Sequence, residues 1–240
     1  MILINNVSLE PAFVLHTRPY QETSILVDFF TRSYGRLNAI AKGAKRPKSP
    51  LRSVLTPASK LSVSLSGKSE LKTLSSVEII DHFELNNGVA FNSIIYVNEL
   101  IIKATEKEDP HAVIFDDYEI LLKKISNQSD QVDLEQNLRN FELNLLQEMG
   151  YGIDLSKDAE TNKKIEEGFF YRFYPDKGFV IDKANVVSQK SFSGLDIINF
   201  KKGNFEKKET RDSSKIIMRM ALDFHLGSKT LNIRKYLTKN

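Results

Sequence analysis

The chain has 240 residues, 41% of them hydrophobic and 27% charged, which is the balance of a folded globular protein and excludes disorder as its main state. No apolar run approaches the roughly 20 residues of a membrane span, and Met1-Ile2-Leu3-Ile4-Asn5-Asn6 has no basic segment ahead of a long apolar core, so neither a membrane helix nor a secretory signal is expected. The absence of cysteine excludes disulfides, thiolate zinc sites, iron–sulfur clusters and thiol catalysis, and it fits a reducing cytoplasm.

The first eighty residues read as strands. Residues 11–17 hold Phe13, Val14 and Leu15, and residues 23–31 hold Ile25-Leu26-Val27 and Phe29-Phe30. A third strand, 36–42, follows a Tyr34-Gly35 turn. Leu61, Val63 and Leu65 alternate with serines, and Leu71, Thr73, Ser75, Val77 and Ile79 continue the two-residue period of half-buried strands. Five short strands with turns between them suit a small barrel better than a βαβ unit. Between the third and fourth, residues 43–50 hold two prolines and no apolar period, which predicts a loop.

Near Asn86 the period becomes helical, with Ile94, Val97, Ile101 and Ala104 on one face. Asp109-Pro110 reads as an N-cap and first position, followed by a face of Ile114, Tyr118, Leu121, Leu122 and Ile125. A third helix carries Leu134, Leu138, Phe141 and Leu145 and is expected to stop at Gly150. A fourth is expected after Asp212-Ser213, with Ile216, Ile217, Met220 and Phe224 inward and Gly227 as its end. Between these two, residues 169–174, the turn Pro175-Asp176-Lys177-Gly178 and residues 179–181 read as a hairpin. The predicted class is α+β. A five-stranded barrel over residues 1–82 precedes a helical domain over 83–240, with a β-containing insertion at about 152–207.

No catalytic constellation is present. The histidines at 16, 82, 111 and 225 are isolated, Gly67-Lys68-Ser69 lacks the first glycine and the helix of a phosphate-binding loop, and Glu106, Glu108, Asp109, Asp116 and Asp117 lack the spacing of a calcium loop. No cofactor, structural zinc or enzymatic activity is expected.

The net charge of +3 conceals an uneven distribution: residues 1–80 carry +6, residues 81–160 carry −11 and residues 161–240 carry +8. The strongest signal is a gap. From Phe29 to Ser69 there is no Asp or Glu, where average composition gives about five. The same stretch holds Arg32, Arg36, Lys42, Lys45, Arg46, Lys48, Arg52, Lys60 and Lys68. Without local acids, this positive charge is left for an outside polyanion. Arg32, Arg36, Lys42, Lys45, Arg46, Lys48 and Arg52 are therefore the candidate residues for contacting a nucleic-acid backbone, binding through phosphates and without sequence preference. The alternative is a basic loop that serves solubility.

These same residues carry a resemblance. The run from Phe13 to Ser24 (FVLHTRPYQETS), Phe30-Thr31, Tyr34-Gly35-Arg36-Leu37, the run from Ala41 to Ser49 (AKGAKRPKS) and Glu70-Leu71-Lys72-Thr73-Leu74 are similar to the opening of the RecO family of bacterial recombination mediators. Tyr96-Val97-Asn98-Glu99-Leu100, Leu138-Arg139-Asn140-Phe141-Glu142-Leu143, Gly150-Tyr151-Gly152, Lys177-Gly178-Phe179, Arg219-Met220-Ala221-Leu222 and Leu226-Gly227-Ser228-Lys229 continue it in order. The resemblance implies an N-terminal OB barrel and a helical domain. It implies binding to single- and double-stranded DNA, annealing of complementary strands, and help in loading RecA onto strands coated by single-strand-binding protein. RecR and the acidic, Phe-ending tail of single-strand-binding protein are the implied partners. Many members carry four zinc-binding cysteines after the helix that ends near Gly150-Tyr151. Residues 154–164 hold none, so the chain resembles the zinc-free branch, with the aromatic hairpin supplying apolar burial instead.

An acidic tail ending in Phe needs a cation and an apolar pocket. Arg139 is the one Lys or Arg between Lys124 and Lys157, and it is the candidate docking cation, with Lys215 and Arg219 as candidates to complete the site. Pairing of Arg139 with Glu135 or Glu142 on its own helix is the competing reading. For the whole protein, the competing function is a protein-docking adaptor whose DNA affinity is incidental.

Overall fold

The computed structural model describes residues 6–85, 87–126, 131–183, 191–227, 231 and 233. Met1–Asn5, Asn86, Ser228 and Lys229 lie outside the described residues. The chain is α+β, with an N-terminal five-stranded sheet, a helical C-terminal part and a small sheet. It divides into two compact units, Met1–Asn127 with Leu231–Asn240, and Gln128–Thr230.

In the first unit, β1 (Asn6–Tyr20), β2 (Ser24–Thr31), β3 (Gly35–Ala41), β4 (Ser59–Ser66) and β5 (Leu71–His82) close into a barrel in the order β1-β2-β3-β5-β4. Closure between β3 and β5 is parallel and short, over Asn38↔Leu71, Ala39↔Lys72 and Ile40↔Thr73. The inward residues alternate as strand geometry requires: Val14, Val27, Phe29, Leu37, Ala39, Leu61, Val63 and Leu65 form the core. The opposite face of β1 and β2 is also buried. Phe13 and Phe30 meet Phe115 with ring centroids 4.9 and 5.6 Å apart, and Phe13 meets Tyr118 edge-on at 4.9 Å.

Phe115 and Tyr118 belong to α3 (Ala112–Ser126), which follows α2 (Gly88–Ala104). Asn87 caps α2 by accepting from the Ala90 amide at 2.8 Å. The Tyr118 hydroxyl, fully buried, donates to Asn98 Oδ1 at 2.5 Å, and Asn98 Nδ2 donates to the Leu15 carbonyl at 3.0 Å, so one polar chain ties α3 and α2 to β1. These contacts group α2 and α3 with the barrel in one compact unit that runs to residue 127.

The first turn of α3 differs from the sequence reading. The helix starts at Ala112, and Asp109 is not its N-cap. The Asp109 backbone instead lies directly against Gly35, which adopts φ +67°. A tertiary contact thus holds the segment that the Asp-Pro signal assigned to the helix start.

In the second unit, α4 (Gln131–Glu148) ends before Gly150, which takes φ +83°. β6 (Phe170–Tyr174) and β7 (Gly178–Ile181) form the expected hairpin, in the register Tyr171↔Ile181 and Phe173↔Phe179. β8 (Phe192–Ser193) adds a third strand, followed by α5 (Gly194–Lys202) and α6 (Lys208–Leu226). Neither β8 nor α5 is legible in the sequence reading, because each is too short for its period to stand out. α6 begins a turn earlier than Asp212-Ser213 and buries a different face. Thr210, Ser214, Ile217, Met218, Ala221 and Leu222 are inward, whereas Ile216, Met220 and Phe224 are 49%, 36% and 55% exposed. Small polar residues complete the buried stripe: the Thr210 hydroxyl donates to Asp196 Oδ1 at 2.8 Å.

Candidate nucleic-acid interface

The segment between β3 and β4 is not a simple loop. Residues 51–54 form α1 (Leu51–Val54), one helical turn. Ala44 and Leu55 are buried in the barrel core, and Leu51 and Val54 pack against it. The segment therefore plugs one end of the barrel with its small and apolar residues. Its basic residues are what remains outside: Lys42, Lys45, Arg46, Lys48 and Arg52 are all exposed.

The plug is held in shape by backbone bonds. The Lys45 amide donates to the Thr23 carbonyl at 2.9 Å, Arg46 to Gly43 at 3.1 Å and Ser49 to Arg46 at 3.0 Å. Lys45 Nζ donates to the Gln21 carbonyl at 3.1 Å, tying the plug to the β1–β2 turn. Gly43 takes φ +73°, and the Arg46 side chain folds back over it. Among the described residues, no carboxylate lies within ion-pair distance of Lys42, Lys45, Arg46, Lys48 or Arg52. Their field is directed to solvent from a pre-shaped surface, which lowers the entropy lost on binding an extended anion.

The two arginines nearer the other end of the barrel are placed differently. Arg32 is clamped bidentately by Asp116 of α3, Nε to Oδ1 and Nη2 to Oδ2, both at 2.9 Å. The hydrogen bond from Arg32 holds the Asp116 carboxyl below its ordinary value. Arg36 is only 9% exposed. Its Nε donates to Thr105 Oγ1 at 3.0 Å and its Nη2 to the Thr105 carbonyl at 2.7 Å. Burial lowers its pKa from the usual guanidinium value. Arg36 is thus a strut between β3 and the end of α2, with Nε and Nη2 turned into the fold rather than toward solvent. Lys60 meets Glu119 at 2.5 Å. The acid-free run in the sequence is therefore partly filled in space, by carboxylates of α3 that come from fifty or more residues away.

Arg18 and Tyr20 adjoin this candidate surface. They lie at the end of β1, with Tyr20 opposite Ser24, beside the turn to which Lys45 is bonded. Arg18 is exposed there. Its position outside the acid-free run hid it from a charge-gap criterion.

In the second unit, Arg139 is not an open cation. Its Nη2 pairs with Glu142 Oε1 at 2.6 Å, the arrangement of the competing reading, and Glu142 is fully buried. Lys215 and Arg219 are exposed on α6, next to the exposed Ile216 and Met220. Arg219 Nε lies 3.8 Å from Asp223 Oδ2, a long and exposed ion pair.

Residues 154–164, where many members of the family resembled hold zinc, offer no thiolate or imidazole and do not fit that metal. A carboxylate organises the segment instead. Asp158 is 3% exposed, and its Oδ1 accepts from the amides of Glu160 at 3.0 Å and Thr161 at 2.6 Å and from the Thr161 hydroxyl at 2.9 Å. Its Oδ2 accepts from the Ile181 amide at 2.6 Å, clipping the segment to β7. Phe173 and Phe179 pack with tilted rings whose centroids lie 4.9 Å apart, Phe179 bridging to Asp158.

Two family models match the chain: Recombination protein O N terminal over residues 6–83, and Recombination protein O C terminal over residues 86–234. Among curated relatives, the DNA repair protein RecO of Haemophilus influenzae (strain 86-028NP) is 39% identical over 233 residues, 97% of this chain and 96% of that protein. The DNA repair protein RecO of Polynucleobacter asymbioticus is 40% identical over 230 residues, 95% of this chain and 94% of that one. That of Serratia proteamaculans is 38% identical over 226 residues, 94% and 91% respectively. The chain belongs to the recombination protein O family.

Proposed function

We propose that the protein is a non-enzymatic DNA-repair mediator of the bacterial cytoplasm, associated with the nucleoid. It binds single- and double-stranded DNA, anneals complementary strands, and with RecR helps load RecA onto DNA coated by single-strand-binding protein. Residues 1–82 form the DNA-binding domain, and the barrel is of the OB type; the strand order β1-β2-β3-β5-β4, with a helical plug between β3 and β4, supports that assignment. The observation that carries the reading is the plug itself: apolar residues anchored in the core and five exposed cations outside, none with a carboxylate within ion-pair distance among the described residues. Annealing is limited by repulsion between two phosphate backbones, and a fixed cationic surface offsets that repulsion. Contacts of this kind carry no base information, so binding is sequence-tolerant.

The test is a titration of single-stranded DNA against salt with a Lys45→Ala/Arg46→Ala/Lys48→Ala protein. Three lost phosphate contacts lower the slope of log K against log salt by about 2. A triple variant with the parent's affinity and slope overturns the reading. DNA association seen only when single-strand-binding protein is present would favour the adaptor instead.

For the acidic, Phe-ending tail of single-strand-binding protein, the exposed face of α6 supports docking better than Arg139 does. Lys215 and Arg219 stand beside Ile216 and Met220, one turn before Phe224, which gives cations and apolar surface together. A tail peptide titrated against Arg219→Glu and Phe224→Ser proteins should bind more weakly to both, by about tenfold. Unchanged affinity in both would place the tail elsewhere.

A further inference from the structure

β5 is twelve residues long, but β3 pairs only with its first three. β4 holds one edge of β5 from Thr73 to His82. Along the other edge, from Leu74 to His82, no strand partner is present among the described residues. Among the described residues, that edge leaves backbone N–H and C=O groups without a strand partner over about 25–30 Å, with the His82 amide at its end donating to Asp81 Oδ1 at 2.8 Å. Ile79 and Ile80 within it are each 52% exposed.

Exposed edges are ordinarily blunted by lysine or proline. Residues 73–85 contain neither, and no arginine; their charged residues are Glu78, Asp81 and Glu84. The edge's own residues are therefore apolar and acidic; Lys60 of β4 lies opposite Asp81 and Lys123 of α3 feels its charge, which leaves Glu78 as the acid without a facing cation in the strand pairing. The acids select the occupant. A second copy of this chain added about a two-fold axis, in any register centred between residues 78 and 81, sets Glu78 or Asp81 opposite or diagonal to an acid of the other copy, which is unfavourable. Nucleic acid is repelled by the same charges. A strand with basic side chains gains from both the backbone ladder and the cross-strand pairs.

We propose that the free edge of β5, Leu74–His82, is a docking site for an extended, basic segment of another protein, which joins the barrel as an added strand. The site is separate from the basic plug and does not depend on DNA binding.

The probe is an acetylated and amidated ten-residue peptide alternating valine and lysine, titrated against the full chain with amide NMR detection. Binding should perturb and protect amides of residues 74–82. The same peptide N-methylated at alternate backbone amides should bind at least about tenfold more weakly, because it cannot complete the ladder. A Glu78→Gln/Asp81→Asn protein, which removes both charges but keeps an acceptor for the His82 amide and sets no cation opposite Lys60, should lose affinity several-fold and keep the parent's melting temperature within a few degrees. No binding, equal binding of the methylated peptide, or perturbation confined to other acidic surfaces overturns the proposal. Self-association of the parent chain that is abolished by Ile79→Lys would assign the edge to a second copy and overturn it equally.

Discussion

Replacing Asp158 with asparagine tests whether a carboxylate is the keystone of the segment before the hairpin. Asparagine keeps the shape and one carbonyl oxygen. If that oxygen stays with Glu160 and Thr161, an NH2 group faces the Ile181 amide, donor against donor, at a site where the carboxylate now accepts at 2.6 Å. One charge-assisted bond is lost, a buried N–H is left without an acceptor, and the three remaining bonds fall to neutral strength. Together these cost about 3 kcal/mol. For a chain of this size, that lowers the melting temperature by about 6–12 °C. The effect carries a pH signature. Burial by itself would push the Asp158 carboxyl up, but the bonds from Thr161, Ile181 and Glu160 together outweigh it and hold the group below its ordinary value. A depressed carboxyl stabilises the fold above its unfolded pKa of about 3.9, and that stability is lost as pH falls through the folded value. The gap in melting temperature between parent and Asp158→Asn should therefore be constant from about pH 7 to 5 and shrink below about pH 4. Hydrogen exchange at the Ile181 amide should accelerate in the variant. A variant melting within 2 °C of the parent with unchanged Ile181 exchange, or a gap that does not change on acidification, would refute the argument.

Arg36→Met should destabilise the first unit by about 2–3 kcal/mol, because the Thr105 carbonyl loses its buried donor, while the folded protein keeps the parent's salt slope for DNA; thermal melting and the salt titration check the two halves separately. Gly35→Ala should cost about 3 kcal/mol or more in a denaturant titration, since a Cβ there overlaps the Asp109 carbonyl and the backbone sits at φ +67°. Arg139→Ala should destabilise the second unit by about 3 kcal/mol, because it removes the 2.6 Å cationic partner of a fully buried carboxylate, yet leave tail-peptide affinity near the parent's in the fraction that folds.

Local patterns gave the strands well. The alternation of Leu61, Val63 and Leu65 with serines survives as the inward and outward sides of β4, and the aromatic run before Pro175 becomes the hairpin strand β6. The face of α3 was legible for the same reason: Ile114, Tyr118, Leu121, Leu122 and Ile125 are all buried. α6 was misread because hydrophobicity ranks Ile216, Met220 and Phe224 above Thr210 and Ser214. The inward face there is set by what small side chains allow α4 and α5 to approach, and by the Thr210–Asp196 bond. Period alone cannot choose between two adjacent apolar faces of one helix.

Composition likewise determined that residues 29–69 carry cations without acids, since charge and order are properties of the chain itself. Which of those cations face solvent was decided only by the fold. Arg32 and Lys60 are met by Asp116 and Glu119, and Arg36 is drawn inward by Thr105, all across long sequence separations. Lys42, Lys45, Arg46, Lys48 and Arg52 stay outside because Ala44, Leu51, Val54 and Leu55 occupy the barrel end beneath them. The sequence fixes each residue's charge and its local period; long-range packing decides which charges are neutralised at short distance, because Coulomb attraction and desolvation depend on separation in space and not along the chain.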